Sequence, residues 1–135
     1  IAGLEVRLQG LPEATLLVTI AGVALAVVGI AVTVSAMLAN RYFGPVVRIQ
    51  SDRGHEVATD GPYAVVRHPG YVGAILFYVG LPAVLGSWWS VPIMALLIAI
   101  AVVRTAREDR YLCAHLTGYV GYADRVRWRL VPRIW

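Results

Sequence analysis

Residues 14–39 form a run of 26 positions without one charged side chain. As a helix rising about 1.5 Å per residue, such a run crosses a hydrocarbon core of about 30 Å with some tilt. It is therefore read as a first membrane span. Composition agrees, because 59% hydrophobic against 15% charged residues, with a mean hydropathy of +0.68, is too apolar for an ordinary soluble domain of 135 residues. The same balance excludes a disordered chain, and a single cysteine, Cys113, excludes an internal disulfide scaffold. The expected fold class is an all-α integral membrane protein.

Small residues recur at spacing four within the first span, as in Gly22 with Ala26 and Ala31 with Ser35 and Ala39. This pattern either admits a close helix neighbour or reflects how common Gly and Ala are in membrane helices. A second uncharged stretch, residues 69–103, is interrupted by Gly86-Ser87-Trp88-Trp89-Ser90-Val91-Pro92. These are chain breakers with two indoles suited to the membrane interface. The stretch therefore reads as a helical hairpin over 70–103, one arm at about 70–85 and the other from 92 onward, with Pro92 tolerated in a first turn. The second arm can run past Val103, since no breaker intervenes before Gly118. The expectation is about three transmembrane helices in one domain: a span at 14–39, a polar loop at 40–69, the hairpin, and a C-terminal segment at 104–135.

All twelve basic residues are Arg, and against eight acids they give a net charge of +4. Four lie in 40–69, seven in 104–135, and Arg7 alone precedes the first span. A hairpin returns the chain to its starting side, so the positive-inside rule places loop 40–69 and the C-terminus in the cytoplasm. Arg residues flanking apolar runs suit anionic headgroups rather than nucleic acid. The chain starts at Ile1 without a methionine, and residues 1–13 lack a signal peptide's basic start and cleavage site. The start is read as incomplete.

Three places can carry chemistry. Arg67-His68-Pro69-Gly70-Tyr71-Val72-Gly73 sits where the loop enters the hairpin, with Asp60-Gly61-Pro62-Tyr63 as a turn before it. A helix start with unpaired N–H groups and an adjacent Arg67 is either an anion site or a basic pair touching lipid phosphates. Arg104 and Glu108 stand four apart on one helical face, able to hold a zwitterion or to form an ordinary helix ion pair. The tail from Leu116 alternates aromatic, aliphatic and Arg residues, which suits an interfacial anchor or a lid over a site. No nucleotide-binding glycine motif, P-loop or nucleophile elbow occurs, and His55, His68 and His115 have no partners at ligand spacing, so no metal is expected.

Gly61-Pro62-Tyr63, the Arg-His-Pro-Gly-Tyr-Val-Gly stretch at 67–73, an apolar hairpin, Arg104 with Glu108, then Gly118-Tyr119, Tyr122 and Arg125-Val126 occur in that order. Together they resemble the isoprenylcysteine carboxyl methyltransferase family in its prokaryotic form and, more distantly, the phospholipid N-methyltransferases. The resemblance covers residues 40–135. It implies methyl transfer from S-adenosylmethionine, bound by loop, hairpin and C-terminal segment, to a lipid-like or prenylated acceptor arriving from the bilayer. By the same resemblance His68, Tyr71 and Glu108 contact the cofactor, Gly80 and Leu81 lie close to it, and Arg104 faces the acceptor, making Arg104 and Glu108 the catalytic pair. The helix start at His68 would offer donors to the cofactor's polar end.

The family's acidic pair is Glu108-Asp109 here, and the shorter Asp109 leaves its own role open. The chain is short beside eukaryotic members, which implies a compact prokaryotic form, a trimmed chain, or a bundle completed by homo-oligomerisation. Arg without Lys points to a GC-rich prokaryote and its cytoplasmic membrane. Competing readings are methylation of a phospholipid amine, a nicotinamide-dependent membrane reductase, and a non-enzymatic scaffold. Acceptor access is expected through a groove between the first span and the hairpin, at Gly22 and Gly29.

Overall fold

The computed structural model describes residues 16–44, 49 and 54–135. Ala14 and Thr15, at the expected start of the first span, lie outside these residues, as do Arg7, Arg48 and Arg53. The described chain is helical, with no strand in it: α1 (Leu16–Ala39), a 3-10 helix (Gly61–Ala64), α2 (Pro69–Leu85), α3 (Ser90–His115) and α4 (Tyr119–Arg125). Two of these, α1 and α3, are long and apolar enough to cross a membrane. The 17 residues of α2 reach about 26 Å, somewhat less than a hydrocarbon core.

Helix boundaries follow local chemistry. His68, at φ −129° and ψ 61°, lies outside the helical region that a following proline disfavours, and Pro69 opens α2 where a missing N–H costs nothing. Gly86 closes α2 at φ 57°, a left-handed position that glycine adopts without strain, and Ser87 N–H returns to Pro82 O at 3.2 Å. Helix α3 begins at Ser90, two residues before the expected Pro92, because Ser90 Oγ donates to Ser87 O at 2.6 Å and builds the first turn. Pro92 still falls within that turn. The helix then continues through its charged stretch to His115, and Gly118 turns the chain at φ 83°.

Helices α1 and α2 run antiparallel with their backbones nearly touching. A Cβ at Gly22 would stand 2.8 Å from Gly80 O and 2.7 Å from Ala83 Cβ; one at Gly29 would stand 2.6 Å from Gly73 O and 2.7 Å from Phe77 N. The buried residues of α1 are Gly22, Gly29 and Ala36. Their spacing is seven, the recurrence of a left-handed helix crossing. Ala26, four beyond Gly22, also meets α2, for its backbone N lies 3.1 Å from where a Cβ on Gly80 would stand. Ala31, expected in the four-spaced set, is exposed. These contacts also correct the expected access groove: the glycines close the α1–α2 seam by direct backbone contact and leave no room there for a lipid chain. The remaining faces of α1 expose Leu17, Ile20, Val27 and Leu38, which suits a lipid surrounding.

Beyond the helices, the tail folds back onto the loop. Arg67 N–H donates to Trp128 O at 2.9 Å and His68 N–H to Arg129 O at 3.0 Å. Leu116, Tyr119 and Tyr122 form a small core against Val57, Leu112 and Val126. Tyr122 Oη donates to Tyr63 O at 2.7 Å, and Asn40 Nδ2 donates to Tyr63 Oη at 3.3 Å. The end of α1, the turn at 61–64 and the tail are thereby tied together.

Candidate functional site

A cavity of about 330 Å³ opens where these polar segments meet. Arg67, His68, Gly70 and Tyr71 at the start of α2 form one wall. Arg104 and Glu108 of α3 form the facing wall, Tyr119 and Tyr122 of α4 close the end, and Asn40, Tyr42 and His55 border it from the loop side. Its volume lies within the range of small-molecule sites.

Tyr71 joins the two walls, its Oη donating to Glu108 Oε2 at 2.7 Å, with Arg104 in reach of the same hydroxyl. Spacing four on α3 places Arg104 and Glu108 on one face, and the tyrosine reads both. His68, Tyr71, Arg104 and Glu108, which come from sequence positions up to forty apart, therefore converge on one cavity. Gly80 and Leu81 do not join them. Helix α2 leads away from the cavity, and nine residues beyond Tyr71, about 13 Å along the axis, Gly80 is buried against Gly22 and Leu25.

Behind the wall lies a polar cluster that the sequence does not announce. Asp109 is 2% exposed and its carboxylate gathers four partners. Arg129 Nε donates to Oδ2 at 2.8 Å, Tyr119 Oη donates to Oδ1 at 3.1 Å, His68 Nε2 lies 3.2 Å from Oδ1, and Arg67 Nε lies 3.2 Å from the same oxygen. The Arg67 approach is an ion pair without hydrogen-bond alignment, for Nε has no hydrogen-bond partner. Asp109 thus has a defined place: it is the shared anion of loop, α3 and tail. His68 Nε2, expected to face a cofactor, is turned to this carboxylate while its ring still borders the cavity. The tail is not a free interfacial anchor, because Arg129 and Tyr119 bind it to the site's inner side.

Burial raises the hydroxyl pKa values of Tyr63, Tyr119 and Tyr122, and the Asp109 charge raises Tyr119 further. These tyrosines stay protonated donors at any working pH. His55, stacked on Tyr42 with ring centroids 4.2 Å apart, has its pKa lowered by burial. His115 stands apart from the cavity, stacked on Tyr111 at 4.3 Å. Among the described residues no three metal-capable side chains converge.

The family model described as phospholipid methyltransferase matches residues 17–116. Protein-S-isoprenylcysteine O-methyltransferase B of Arabidopsis thaliana is 33% identical over 94 residues, covering 65% of this chain and 46% of the plant protein. Protein-S-isoprenylcysteine O-methyltransferase of Schizosaccharomyces pombe is 35% identical over 95 residues, covering 68% and 40%. The fold is shared with the solved structure of a eukaryotic intramembrane Ras methyltransferase, isoprenylcysteine carboxyl methyltransferase, at a TM-score of 0.81 and 24% identity, over 98% of this chain and 48% of that one. The chain spans less than half the length of each of these proteins.

Proposed function

We propose, from the premise that this chain belongs to the phospholipid methyltransferase family, that it transfers a methyl group from S-adenosylmethionine to a lipid-borne acceptor at the membrane. The acceptor we favour is the carboxylate of an isoprenylcysteine or a related isoprenoid or lipid acid, the substrate class that the names of the two relatives carry. The observation that carries the reading is the convergence of His68, Tyr71, Arg104 and Glu108 on one cavity at the polar end of an apolar helix. The cavity suits the donor: its volume is adequate, and Glu108 offers an anionic acceptor for hydroxyl or ammonium groups. When bound, S-adenosylmethionine supplies an electrophilic methyl on a sulfonium.

The chain's own residues have modest chemical work to do. A carboxylate acceptor is ionised at neutral pH, so no base is required, and positioning dominates the rate. Tyr71 fixes Glu108 by its 2.7 Å hydrogen bond, and Glu108 then orients the donor. Arg104, always charged, neutralises and aligns the acceptor's carboxylate against the donor methyl. Tyr119 and Tyr122 cover the inner end and exclude water. Loop and tail share one face, joined by the backbone hydrogen bonds of Arg67 and His68, and we place that face in the cytoplasm of a prokaryotic membrane on its excess of Arg.

The test is calorimetric binding of S-adenosylhomocysteine to the detergent-solubilised protein. The expected result is saturable binding that Glu108→Ala weakens at least about tenfold, the scale of a lost charged hydrogen bond. A folded wild-type protein that binds nothing would end this reading. Because the family model is described by phospholipids, an amine acceptor is the second reading. An ammonium must lose a proton before attack, so its rate would climb with pH, whereas carboxyl methylation should be flat across neutral pH.

A further inference from the structure

We infer that Arg67 is a ligand-binding residue of the cavity and that what it binds is a carboxylate. The inference rests on the methyl-transfer reading of the same site and adds to it a residue and a ligand group.

The Arg67 side chain is 9% exposed and lines the cavity, and its buried Nε has no hydrogen-bond partner. A guanidinium carries five N–H donors, and burying them unsatisfied is costly. Its one ion-pair partner does not account for it. Asp109 Oδ1 already accepts from Tyr119 and faces His68, and Oδ2 is taken by Arg129 at 2.8 Å. One carboxylate therefore serves two guanidinium groups, and the cluster holds an uncompensated positive charge. Arg129 satisfies itself on the inner side, against Asp109 and over the Trp135 ring at 5.2 Å. Arg67 is the cation left facing the void.

The position of Arg67 strengthens this. It immediately precedes the 17-residue helix α2, whose first turn also borders the cavity through Gly70. The helix N-terminus adds a positive potential to the same place, and a forked guanidinium matches a carboxylate geometrically. Across the void stands Glu108, held by Tyr71, so a zwitterionic amino-acid end would meet opposite charges at the two walls. A carboxylate is carried both by the donor's methionyl end and by a prenylcysteine acceptor. The chemistry is common to the two, and experiment separates them.

The full chain in detergent would be titrated with S-adenosylhomocysteine and with 5′-methylthioadenosine, which keeps the nucleoside and thioether but lacks the amino-acid carboxylate. Wild type, Arg67→Gln and Arg67→Lys would be compared, alongside KM and kcat for an N-acetylated farnesylcysteine. If the donor supplies the carboxylate, Arg67→Gln weakens S-adenosylhomocysteine about 10- to 100-fold, leaves methylthioadenosine unchanged, and Arg67→Lys recovers part of the loss. If the acceptor supplies it, both nucleosides bind as in wild type while the acceptor's KM rises by a similar factor at unchanged kcat. Equal weakening of both nucleosides, or no change in any of the three ligands, would overturn the inference by reducing Arg67 to a structural counter-ion. Failure of the wild type to bind either nucleoside would instead defeat the methyl-transfer reading beneath it, and the inference with it.

Discussion

Asp109 shows how one short side chain can organise a site that it does not itself line. Its carboxylate ties Arg67 and His68 of the loop to Tyr119 and Arg129 of the tail. Removing it leaves the nearly buried Arg67 and the partly exposed Arg129 without their shared anion, so Asp109→Ala should cost about 3–5 kcal/mol, read as a lowered unfolding midpoint in detergent. A loss below about 1 kcal/mol would mean that the cluster contributes little to stability. The buried tyrosines make a second prediction. Their folded-state pKa values are raised, so the native state keeps protons that the unfolded chain sheds above about pH 10. Stability should hold through neutral pH and fall only as pH rises beyond that value, which pH-dependent unfolding would show. Nothing near Asp109 in sequence announces this role, since its partners lie 41 and 42 residues before it and 10 and 20 after. Arg104 and Glu108 are legible because spacing four is a local signal. An acid shared by distant segments is not.

At the scale of elements, the seam between α1 and α2 depends on having no side chains at four positions. Gly29→Ala would drive a Cβ to 2.6 Å from Gly73 O, backbone against backbone with no flexible side chain to yield. It should destabilise by about 1–3 kcal/mol. Gly121, within α4, offers the opposite case: a Cβ there meets nothing nearer than Arg125 Nη1 at 4.0 Å. Gly121→Ala should stabilise by about 0.5–1 kcal/mol through helix propensity, and denaturant titration of the two variants would check both signs. Helix identity was legible because charge-free runs and the Gly86–Pro92 breakers act locally. Which small residues meet was not, because several small-residue spacings coexist in α1 and only the partner helix selects 22, 26 and 29. The same selection removed the expected groove and kept Gly80 away from the cavity.

At the scale of the whole molecule, three antiparallel helices put the 54–68 segment and the tail at one end and the Trp88-Trp89 turn at the other. In a Cys113→Ser background, Asp124→Cys should react with a membrane-impermeant thiol reagent only from the Arg-rich side, and Trp88→Cys only from the opposite side. Labelling of both from one side would refute the arrangement. Both indoles at that turn are exposed, as an interfacial position requires.

The two hydrogen bonds from Arg67 and His68 to the carbonyls of Trp128 and Arg129 carry a further consequence for how the protein matures in a cell. Synthesis runs from the N-terminus, so α1, α2 and α3 are all made before residues 128 and 129. All the apolar helices thus exist before the two carbonyls that pin the loop at the start of α2. A chain cut before residue 128 should therefore still insert, yet leave the Arg67–His68 corner without its backbone partners.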